Sequence, residues 1–376
     1  MKKIKIAHVA GGLTTGGVEA VIYNYFSHMD TAQYELVYIS YDTPDPKVKE
    51  RFEALGFTVY TVTKKKENFI KSCREVFCIL KKHDIQIIHS HMTLMCFITN
   101  IIGMAAGVKV RISHSHLVER PSGKLKKYIF CIYKYLSRVT ATDYFTCSHD
   151  AGIYLFGQKA YASGKIHLLN NAFSISSYAY DKALADQSRK ENNFENTIVI
   201  GNVGRFTEQK NQEFILDIFK IFHSKCPDSR LLFVGSGPMM EEIESRVRHM
   251  GLEGYVIFTG SVTHPEKWYM SMDIFLFPSR YEGLGIAAVE AQAASLPVLA
   301  SEAVPRGIVV SENVEFLPLT ASPEVWAAQL QKLLDTRNLP RRHTQRLTDS
   351  LRKHHYDINQ EVAWLDLFYK KAQERS

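Results

Sequence analysis

Short apolar runs alternate with amphipathic helical patterns along the first half of the chain. The runs predict strands at 4–10, 35–41, 57–62, 85–89, 108–113 and 143–147. Between them, apolar residues recur at helical spacing and predict helices at 17–28, 46–55, 67–82, 93–106 and 123–140. Alternation of strands and helices calls for a parallel sheet that is covered on both faces.

The alternation restarts after a polar stretch at 174–196, whose composition is that of a linker or a short surface helix. The second half has predicted strands at 198–203, 231–234, 256–259, 274–277 and 298–301. Its predicted helices lie at 211–226, 238–250, 264–272, 285–294, 322–335, 340–353 and 357–373. We therefore expect two doubly wound Rossmann-like α/β domains, 1–180 and 181–356, that face each other across a cleft. A ligand is expected in that cleft, at the carboxyl ends of the strands.

Composition is that of an ordinary globular protein, with 376 residues, 45% hydrophobic and 23% charged. The six cysteines form no CxxC pair, which argues against a disulfide framework or a cysteine metal site. The basic and apolar start of the chain is too short for a signal peptide and is interpreted as the first strand. The charge-free run 92–108 favours a buried helix over a short transmembrane segment.

Charge is unevenly distributed along the chain. Residues 1–190 carry 26 basic and 15 acidic side chains, a net charge of +11, whereas residues 191–376 have a net charge of −4. The basic half suggests an anionic partner such as membrane lipid, a pyrophosphate-linked acceptor or nucleic acid. The segment 122–143 combines an apolar stripe with five basic residues. It is interpreted either as a core helix with a solvated basic face or as a helix resting on anionic lipid.

The segment from Ser279 to Ala293 contains the most specific pattern. Two carboxylates, Glu282 and Glu290, flank a Gly-Leu-Gly turn that follows an apolar strand and opens a helix. Free N–H groups at such a helix start bind anions. Carboxylates cannot bind an anion, but they accept hydrogen bonds from sugar or ribose hydroxyls. The pattern predicts a ligand that is a nucleotide carrying a sugar.

Cations follow another predicted strand. Arg205 and Lys210 flank a short loop after Gly201–Gly204, a combination suited to a diphosphate, although each alone is equally compatible with a solvated surface cation. The glycine-rich turn that contains Gly16 and Gly17 is either a phosphate loop or a tight strand–helix turn. It lacks both the dinucleotide fingerprint and the P-loop ending.

Two further glycine turns and four histidines complete the candidate residues. The turn at Gly235 and the turn that ends in Ser261 and Val262 are weak signals alone, because such turns are common in parallel sheets. His89 and His91, and likewise His114 and His116, alternate so that each pair shares one face of an extended strand. They are interpreted as cleft residues or as packed core histidines. No carboxylate partner completes a metal site, so no metal is expected.

These motifs resemble those of retaining glycosyltransferases of family four, which have the GT-B architecture of two Rossmann-like domains. The resemblance covers nearly the whole chain and is most specific in Glu282-x7-Glu290, in Gly204-Arg205 with Lys210-Asn211, and in Gly16-Gly17-Val18-Glu19. The tail segments 300–306 and 313–319 resemble the branch that builds bacterial capsule and exopolysaccharide. Leu284 stands where many members have Phe, which leaves the transferred sugar open.

The resemblance implies a role for each matched residue. Arg205 and Lys210 would hold the donor diphosphate, and Glu290 would accept hydrogen bonds from the ribose. Gly16 and Gly17 would close over the phosphates, and either His114 or His116 would lie at the reaction centre. The transferred sugar would contact Glu282 and the backbone after it, at Gly283, Leu284, Gly285 and Ile286. In this architecture the final helix, 357–376, crosses back to the first domain.

The activity implied is transfer of a hexosyl group from a nucleotide-diphosphate sugar, with a UDP-sugar favoured, to an acceptor hydroxyl with retention of configuration. The implied acceptor is a lipid-linked glycan in capsule or exopolysaccharide synthesis, used by a cytoplasmic protein peripheral to the inner face of the cell membrane. No cofactor, metal or nucleic acid is expected, because Arg205, Lys210 and helix N-termini would neutralise the leaving group. The alternatives are a sugar-nucleotide epimerase of the same architecture and a non-catalytic nucleotide-sugar-binding protein. The missing fingerprint argues against a nicotinamide dehydrogenase.

Overall fold

The computed structural model describes residues 3–14, 16–119, 121–335 and 344–375. The strands in chain order are β1 Ile4–Ala10, β2 Tyr34–Ser40, β3 Phe57–Thr61, β4 Ile87–Ser90, β5 Val110–Ser115, β6 Asp143–Thr146, β7 Ile166–Leu168, β8 Ile198–Val203, β9 Ser229–Val234, β10 Val256–Phe258, β11 Ile274–Phe277, β12 Val298–Ser301 and β13 Val314–Leu317. The helices are α1 Gly17–Ser27, α2 Pro46–Ala54, α3 Phe69–Lys82, α4 Cys96–Ala106, α5 Lys124–Thr140, α6 His149–Phe156, α7 Gln158–Ala162, α8 Ile175–Tyr178, α9 Lys182–Glu191, α10 Gln212–Lys225, α11 Met240–His249, α12 Glu266–Ser271, α13 Ile286–Ala293, α14 Pro323–Asp335, α15 Gln345–Lys353 and α16 Ile358–Glu374.

The chain divides into two compact units. The first unit comprises Met1–Phe173 and His355–Ser376, and the second comprises Ser174–His354. The expected boundary at 180 differs from this division because Ile175 and Tyr178 are buried in the second unit, where α8 packs against α12 and α13. The chain returns to the first unit beside Phe173, whose N–H donates to the Tyr356 carbonyl at 3.0 Å.

The first unit is built on a parallel sheet of seven strands in the order β3-β2-β1-β4-β5-β6-β7. Alternate residues of β1 enter different cores: Ile4 and Ile6 pack on the side of α1 and α16, whereas Ala7 and Val9 pack on the side of α3 and α4. Burial on both faces confirms the prediction from the continuous apolar runs. The sequence pattern missed β7, a three-residue edge strand whose side chains are only half buried.

The second unit has a parallel sheet of six strands in the order β10-β9-β8-β11-β12-β13. Its main core joins β8, β9 and β11 to α10, α11 and α14, around the fully buried Trp326. The pattern missed β13, another edge strand, since its residues at Val314–Leu317 are half buried and include Glu315. The first four residues of the predicted helix 340–353 lie outside the described residues, and α15 accounts for its remainder.

The polar stretch at 174–196 is helical rather than a linker. Asp181 caps α9 by accepting hydrogen bonds from the N–H groups of Ala183 and Leu184. The Arg189 guanidinium then donates to Asp273 at 3.0 Å, just before β11. The segment 174–196 has no periodic apolar pattern in the sequence. It attaches to the rest of the second unit mainly through the Arg189–Asp273 ion pair and a few buried residues.

Helix α5 differs from the interpretation of its apolar stripe as core. Leu125 and Tyr128 are 74% and 67% exposed, and the buried positions of the helix are Ser137 and Thr140. The run 92–108 forms a short 3-10 turn and α4, most of which is buried. Among the described residues, we find no helix with both the length and the apolar character needed to span a membrane.

Candidate functional site

The candidate site in the second unit lies where its sheet reverses strand order. The chain leaves β8 towards β9 and β10 on one side, and it returns through β11 on the other side. Loops that leave two adjacent strands in opposite directions open a crevice at their carboxyl ends, which is where ligands bind in sheets of this kind. The loops that meet at this point are 204–211 after β8 and 278–285 after β11.

An ion pair joins these two loops. Lys210 Nζ lies 2.7 Å from Glu282 Oε1, and the two side chains are only 15% and 7% exposed. Gln209 Nε2 donates to Glu282 Oε2 at 3.2 Å and to the Tyr281 carbonyl at 3.0 Å. The Glu282 carboxylate is therefore held from both sides, and the fold brings together two residues that the sequence presents in separate motifs.

Backbone geometry positions this pair. Asn211 adopts the left-handed conformation, with φ 61°, directly before α10. Its Nδ2 donates to the Pro278 carbonyl at 3.1 Å, which ties the loop after β8 to the end of β11. Asn tolerates this conformation better than other residues with a side chain, so it turns the chain sharply after Lys210.

Gly285 opens α13 in a conformation that requires glycine. Its φ is 81°, and a Cβ at this position would lie 3.2–3.4 Å from Ile308, Val304 and Phe277. The free N–H groups of the first turn of α13 therefore follow the Glu282 loop at the sheet edge, a position suited to an anionic group. Gly283, Leu284 and Ile286 flank this turn and are half buried.

Glu290 lies in the second turn of α13 and is bonded to tyrosines. Tyr269 Oη donates to Glu290 Oε2 at 2.8 Å, and Tyr178 also hydrogen-bonds to this carboxyl group. Burial raises the pKa of Glu290 to about 7, against the opposing effect of the two tyrosine hydroxyls. Near neutral pH the group predicted to bind ribose is thus a mixture of acid and carboxylate.

The remaining predicted donor residues lie around the same edge. Gly235 has φ 135°, and a Cβ at this position would collide with the Gly204 carbonyl. The chain after β9 can therefore approach the chain after β8 this closely only because residue 235 is glycine. Ser261 Oγ lies 2.5 Å from Ser236 Oγ, and Val262 beside it is half buried. Arg205 is exposed, and its guanidinium forms no ion pair with any described residue.

Gly16 and Gly17 lie at the start of α1 in the first unit. A Cβ on Gly16 would collide with the Glu19 carboxylate, whereas Gly17 has open space. Burial raises the pKa of Glu19, and backbone N–H groups of Glu19 and Thr14 partly oppose that shift by donating to the carboxylate. The glycines therefore leave room for a carboxylate that folds back over the helix start.

The predicted histidines belong to a larger buried cluster in the first unit. His114 lies within β5 and is fully buried, whereas His116 follows the strand and is 8% exposed. Among the described residues, two sets of three histidines have ligating atoms within 4.8 Å of one another, and both sets include His91. The structure thus brings together a histidine group for which the sequence showed only two separate pairs.

The residues that support the predicted ones gave no recognisable signal in the sequence. Gln209 gave no signal apart from its place between Arg205 and Lys210. Tyr178 and Tyr269 were indistinguishable from core aromatics, because a hydroxyl that reaches Glu290 leaves no pattern in the chain. His8, part of the histidine cluster, follows the alternation of β1 and was visible only as one polar residue in an apolar run.

The chain matches known proteins over the second unit and over its whole length. Residues 197–336 match the family model described as glycosyl transferases group 1. The chain is 27% identical over 379 residues to the putative glycosyltransferase EpsF of Bacillus subtilis, with 99% of this chain and 97% of that protein covered. It is 25% identical over 346 residues to the capsular polysaccharide biosynthesis glycosyltransferase CapH of Staphylococcus aureus, covering 88% and 91% of the two chains.

A third relative and a solved structure extend these matches. The UDP-Gal:alpha-D-GlcNAc-diphosphoundecaprenol alpha-1,3-galactosyltransferase of Escherichia coli is 26% identical over 308 residues, covering 80% of this chain and 79% of that protein. The crystal structure of Anabaena HepE in complex with UDP and glucose superposes with a TM-score of 0.78 at 17% identity, covering 96% of this chain and 99% of HepE. The second unit thus contains a glycosyl transferases group 1 domain, and the chain is a glycosyltransferase with the GT-B fold.

Proposed function

We propose that the chain transfers a hexosyl group from a nucleotide-diphosphate sugar to a hydroxyl of a lipid-linked glycan, with retention of configuration, in polysaccharide synthesis. The observation that carries this proposal is the Lys210–Glu282 pair beside the N-terminus of α13, at the strand-order reversal of the second sheet. A cation and free N–H groups there suit a diphosphate. The carboxylates suit hydroxyl groups of the sugar and the ribose.

Positively charged side chains at the site are suited to neutralise the negative charge of the diphosphate leaving group. The Lys210 ammonium has three N–H donors, and Glu282 accepts from one of them, which leaves two for phosphate oxygens. Arg205 is exposed and adds a fork of donors. With the first turn of α13, these groups are suited to stabilise the diphosphate without a metal or other cofactor.

The bonding of Glu282 favours a front-face reaction over a covalent intermediate. Its two carboxylate oxygens are already engaged by Lys210 and Gln209. A carboxylate that accepts a charge-assisted hydrogen bond is a weaker nucleophile than a free one. Glu282 is therefore assigned to hold the hydroxyl groups of the transferred sugar, and retention would follow from attack on the same face that the diphosphate leaves.

Relatives support the choice of donor and acceptor. HepE was crystallised with UDP and glucose, and the Escherichia coli relative is named for UDP-Gal and a diphosphoundecaprenol acceptor. CapH is named for capsular polysaccharide biosynthesis. We extend a UDP-sugar donor and a lipid-linked acceptor to this chain on these grounds.

The surface of the first unit supports contact with an anionic membrane. The five basic residues of α5 accompany exposed apolar side chains, including Leu125, Tyr128 and Tyr135. The neighbouring helices α3 and α4 border an almost wholly apolar groove of about 450 Å³ that includes Phe77 and Ile101. Basic and apolar side chains on one surface favour peripheral binding to anionic lipid on the cytoplasmic face.

The assignment is tested by screening UDP-, GDP- and ADP-sugars with a lipid-linked acceptor. We expect Lys210→Ala and Glu282→Ala to abolish transfer, whereas the exposed matched controls Lys220→Ala and Glu253→Ala keep full activity. Circular dichroism would check that all four variants fold. Full activity in both site variants would overturn the assignment.

A reaction without acceptor separates the proposed transferase from its nearest rival. An epimerase of the same architecture would convert the nucleotide sugar by itself, whereas the proposed transferase needs an acceptor hydroxyl. A new sugar nucleotide in that reaction would contradict the proposed function.

A further inference from the structure

Five buried histidines share one face of the first sheet. His8 in β1 is paired in register with His89 in β4, on the face that packs against α1 and α16. His91 follows β4, His114 lies in β5, and His116 follows β5. In the sequence, paired histidines mark β4 and β5 but not β1. The cluster of five therefore forms only when the fold places these three strands side by side.

A hydrogen-bonded chain of imidazoles runs through this cluster towards the carboxyl edge. His8 Nδ1 lies 3.0 Å from His91 Nε2, and His91 Nδ1 lies 2.9 Å from His116 Nε2. His116, the last member, is anchored by its own backbone N–H, which donates to Thr93 Oγ1 at 3.2 Å. Within the described residues no hydrogen bond reaches His116 Nδ1, so this atom is left for a ligand.

The ring geometry favours hydrogen bonding over a metal site. The rings of His89 and His91 have centroids 4.4 Å apart and an interplanar angle of 16°, and those of His114 and His116 are 3.9 Å apart at 29°. The rings of His114 and His116 make angles of 39° and 34° with that of His91, and both ring nitrogens of His91 lie within 2.9–3.0 Å of a nitrogen of another ring. The lone pairs therefore point at neighbouring rings. A metal ion at about 2.0–2.1 Å from each nitrogen requires the lone pairs to converge on one point.

The inner end of the chain decides where the protons lie. His8 Nε2 is buried without a partner among the described residues, beside the rings of Phe26 and Phe57. Neutral imidazole carries one N–H, and an orphaned buried N–H is rarer than an orphaned acceptor. The proton of His8 therefore belongs on Nδ1, from which it is donated to His91 Nε2. His91 must then donate through Nδ1 to His116 Nε2, which places the proton of His116 on Nδ1.

We propose that the His8–His91–His116 chain fixes His116 as the neutral Nδ1–H tautomer, so that it presents a hydrogen-bond donor at the carboxyl edge of β5. His91 and His8 are then positioning residues, and the acceptor of this hydrogen bond is an oxygen of the glycan acceptor. This role rests on the proposed transferase function. It also settles the choice between the two candidate histidines, because His114 uses its Nδ1 on His89 and is fully buried.

His116 acts in this arrangement as a donor and not as a general base. Its Nε2 lone pair is occupied by His91, and the inner end of the chain offers no outlet for a proton. Burial also lowers the pKa of His116 to about 3 and that of His91 well below its usual value, so the chain stays neutral near neutral pH.

Nitrogen-15 NMR of histidine-labelled protein tests the tautomer directly. The His116 signals are assigned by their loss in His116→Gln. We expect a protonated Nδ1 and a bare Nε2 for His116 in the wild-type protein. A protonated Nε2 would overturn the proposal, and so would zinc-dependent shifts of all five rings, which would indicate a metal site.

Two substitutions of His91 test its positioning role. Asn places an amide N–H where Nδ1–H lies, so His91→Asn should retain the His116 tautomer and most of the activity. Leu removes the donor, so His91→Leu should yield mixed His116 tautomers and lower kcat by about tenfold at unchanged donor KM. Equal tautomers and equal kcat in both variants would refute the role of His91. Because the NMR result needs no substrate, it holds or fails separately from the transferase assignment.

Discussion

Glu282 and Glu290 have different environments although the sequence presents them as one motif. Glu282 is held by the Lys210 ammonium and the Gln209 amide, whereas Glu290 faces two tyrosine hydroxyls in a buried site. Burial raises the pKa of Glu290 to about 7, although the two tyrosine hydroxyls and the Lys210 ammonium act to lower it. A diphosphate that binds Lys210 would share its donors with Glu282, while a ribose that binds Glu290 would meet a group whose charge depends on pH.

Donor binding should therefore depend on the ionisation of Glu290. The carboxylate accepts hydrogen bonds from hydroxyl groups, whereas the acid accepts them less well. We expect the affinity for a UDP-sugar to rise as the pH increases from 6 to 8, through the pKa of Glu290. Glu290→Gln should weaken binding at pH 8 by about tenfold and flatten this pH dependence. Isothermal titration calorimetry would measure both, with the exposed Glu253→Gln as the matched control. A wild-type affinity that is flat from pH 6 to 8 would contradict this role.

For helix α5 the sequence predicts the helix correctly but does not identify which of its faces is buried. The periodicity predicted a helix over 123–140, and the structure has one at Lys124–Thr140. Leu125 and Tyr128 of the apolar stripe are exposed, because α5 attaches through other positions. Phe130 and Tyr133 pack against a small core, and Ser137 Oγ donates to the Leu94 carbonyl at 3.0 Å. Short edge strands β7 and β13 illustrate the same limit, since half-buried residues carry little apolar pattern.

Membrane binding through α5 should be lost on charge reversal. Lys126→Glu with Lys127→Glu reverses two exposed charges, and each basic residue near an anionic surface contributes about 1 kcal/mol. We expect flotation with phosphatidylglycerol vesicles to fall by more than tenfold, and binding to phosphatidylcholine to stay weak. Lys159→Glu with Lys165→Glu is the matched control, because both lysines are exposed in the first unit outside α5. Equal flotation of the two double variants would argue against α5 as the membrane surface.

The two units have separate cores, and burial shifts the pKa of titratable groups in opposite directions in the two units. The first unit buries five neutral histidines, and burial lowers the pKa of His8 and His116 to about 3 and that of the other three well below the usual value. In the second unit Glu290 is half-buried, and loss of solvation raises the pKa of its carboxyl group. Histidines with a lowered pKa contribute stability that is present above about pH 6.5 and is lost as the pH falls. A carboxyl group with a raised pKa has the opposite pH dependence. Its contribution to stability is present at low pH and is lost as the pH rises from about 4.5 to 7.

Acidification should therefore weaken the first unit before the second. Each buried neutral histidine makes the free energy of unfolding fall by about 1.4 kcal/mol per pH unit below its unfolded pKa. We expect hydrogen exchange at pH 5 to accelerate in β1, β4 and β5 more than in β8 and β11, relative to pH 7.5 and after correction for intrinsic rates. His8→Gln should reduce this difference, whereas the exposed His28→Gln should leave it unchanged. Uniform protection of both sheets at pH 5 would contradict the prediction.

The amino-acid sequence alone predicts the alternating strands and helices, the parallel sheets and the loops that carry Arg205, Lys210, Glu282 and Glu290. These features are local, because apolar periodicity and glycine turns are properties of neighbouring residues. Contacts between groups that are distant in sequence are visible only in the folded protein. Strand order brought Lys210 to Glu282 and placed Tyr269 on Glu290, and the register of β1, β4 and β5 gathered five histidines into one cluster. No spacing along the chain encodes such contacts, because they depend on crossovers that place strands distant in sequence side by side.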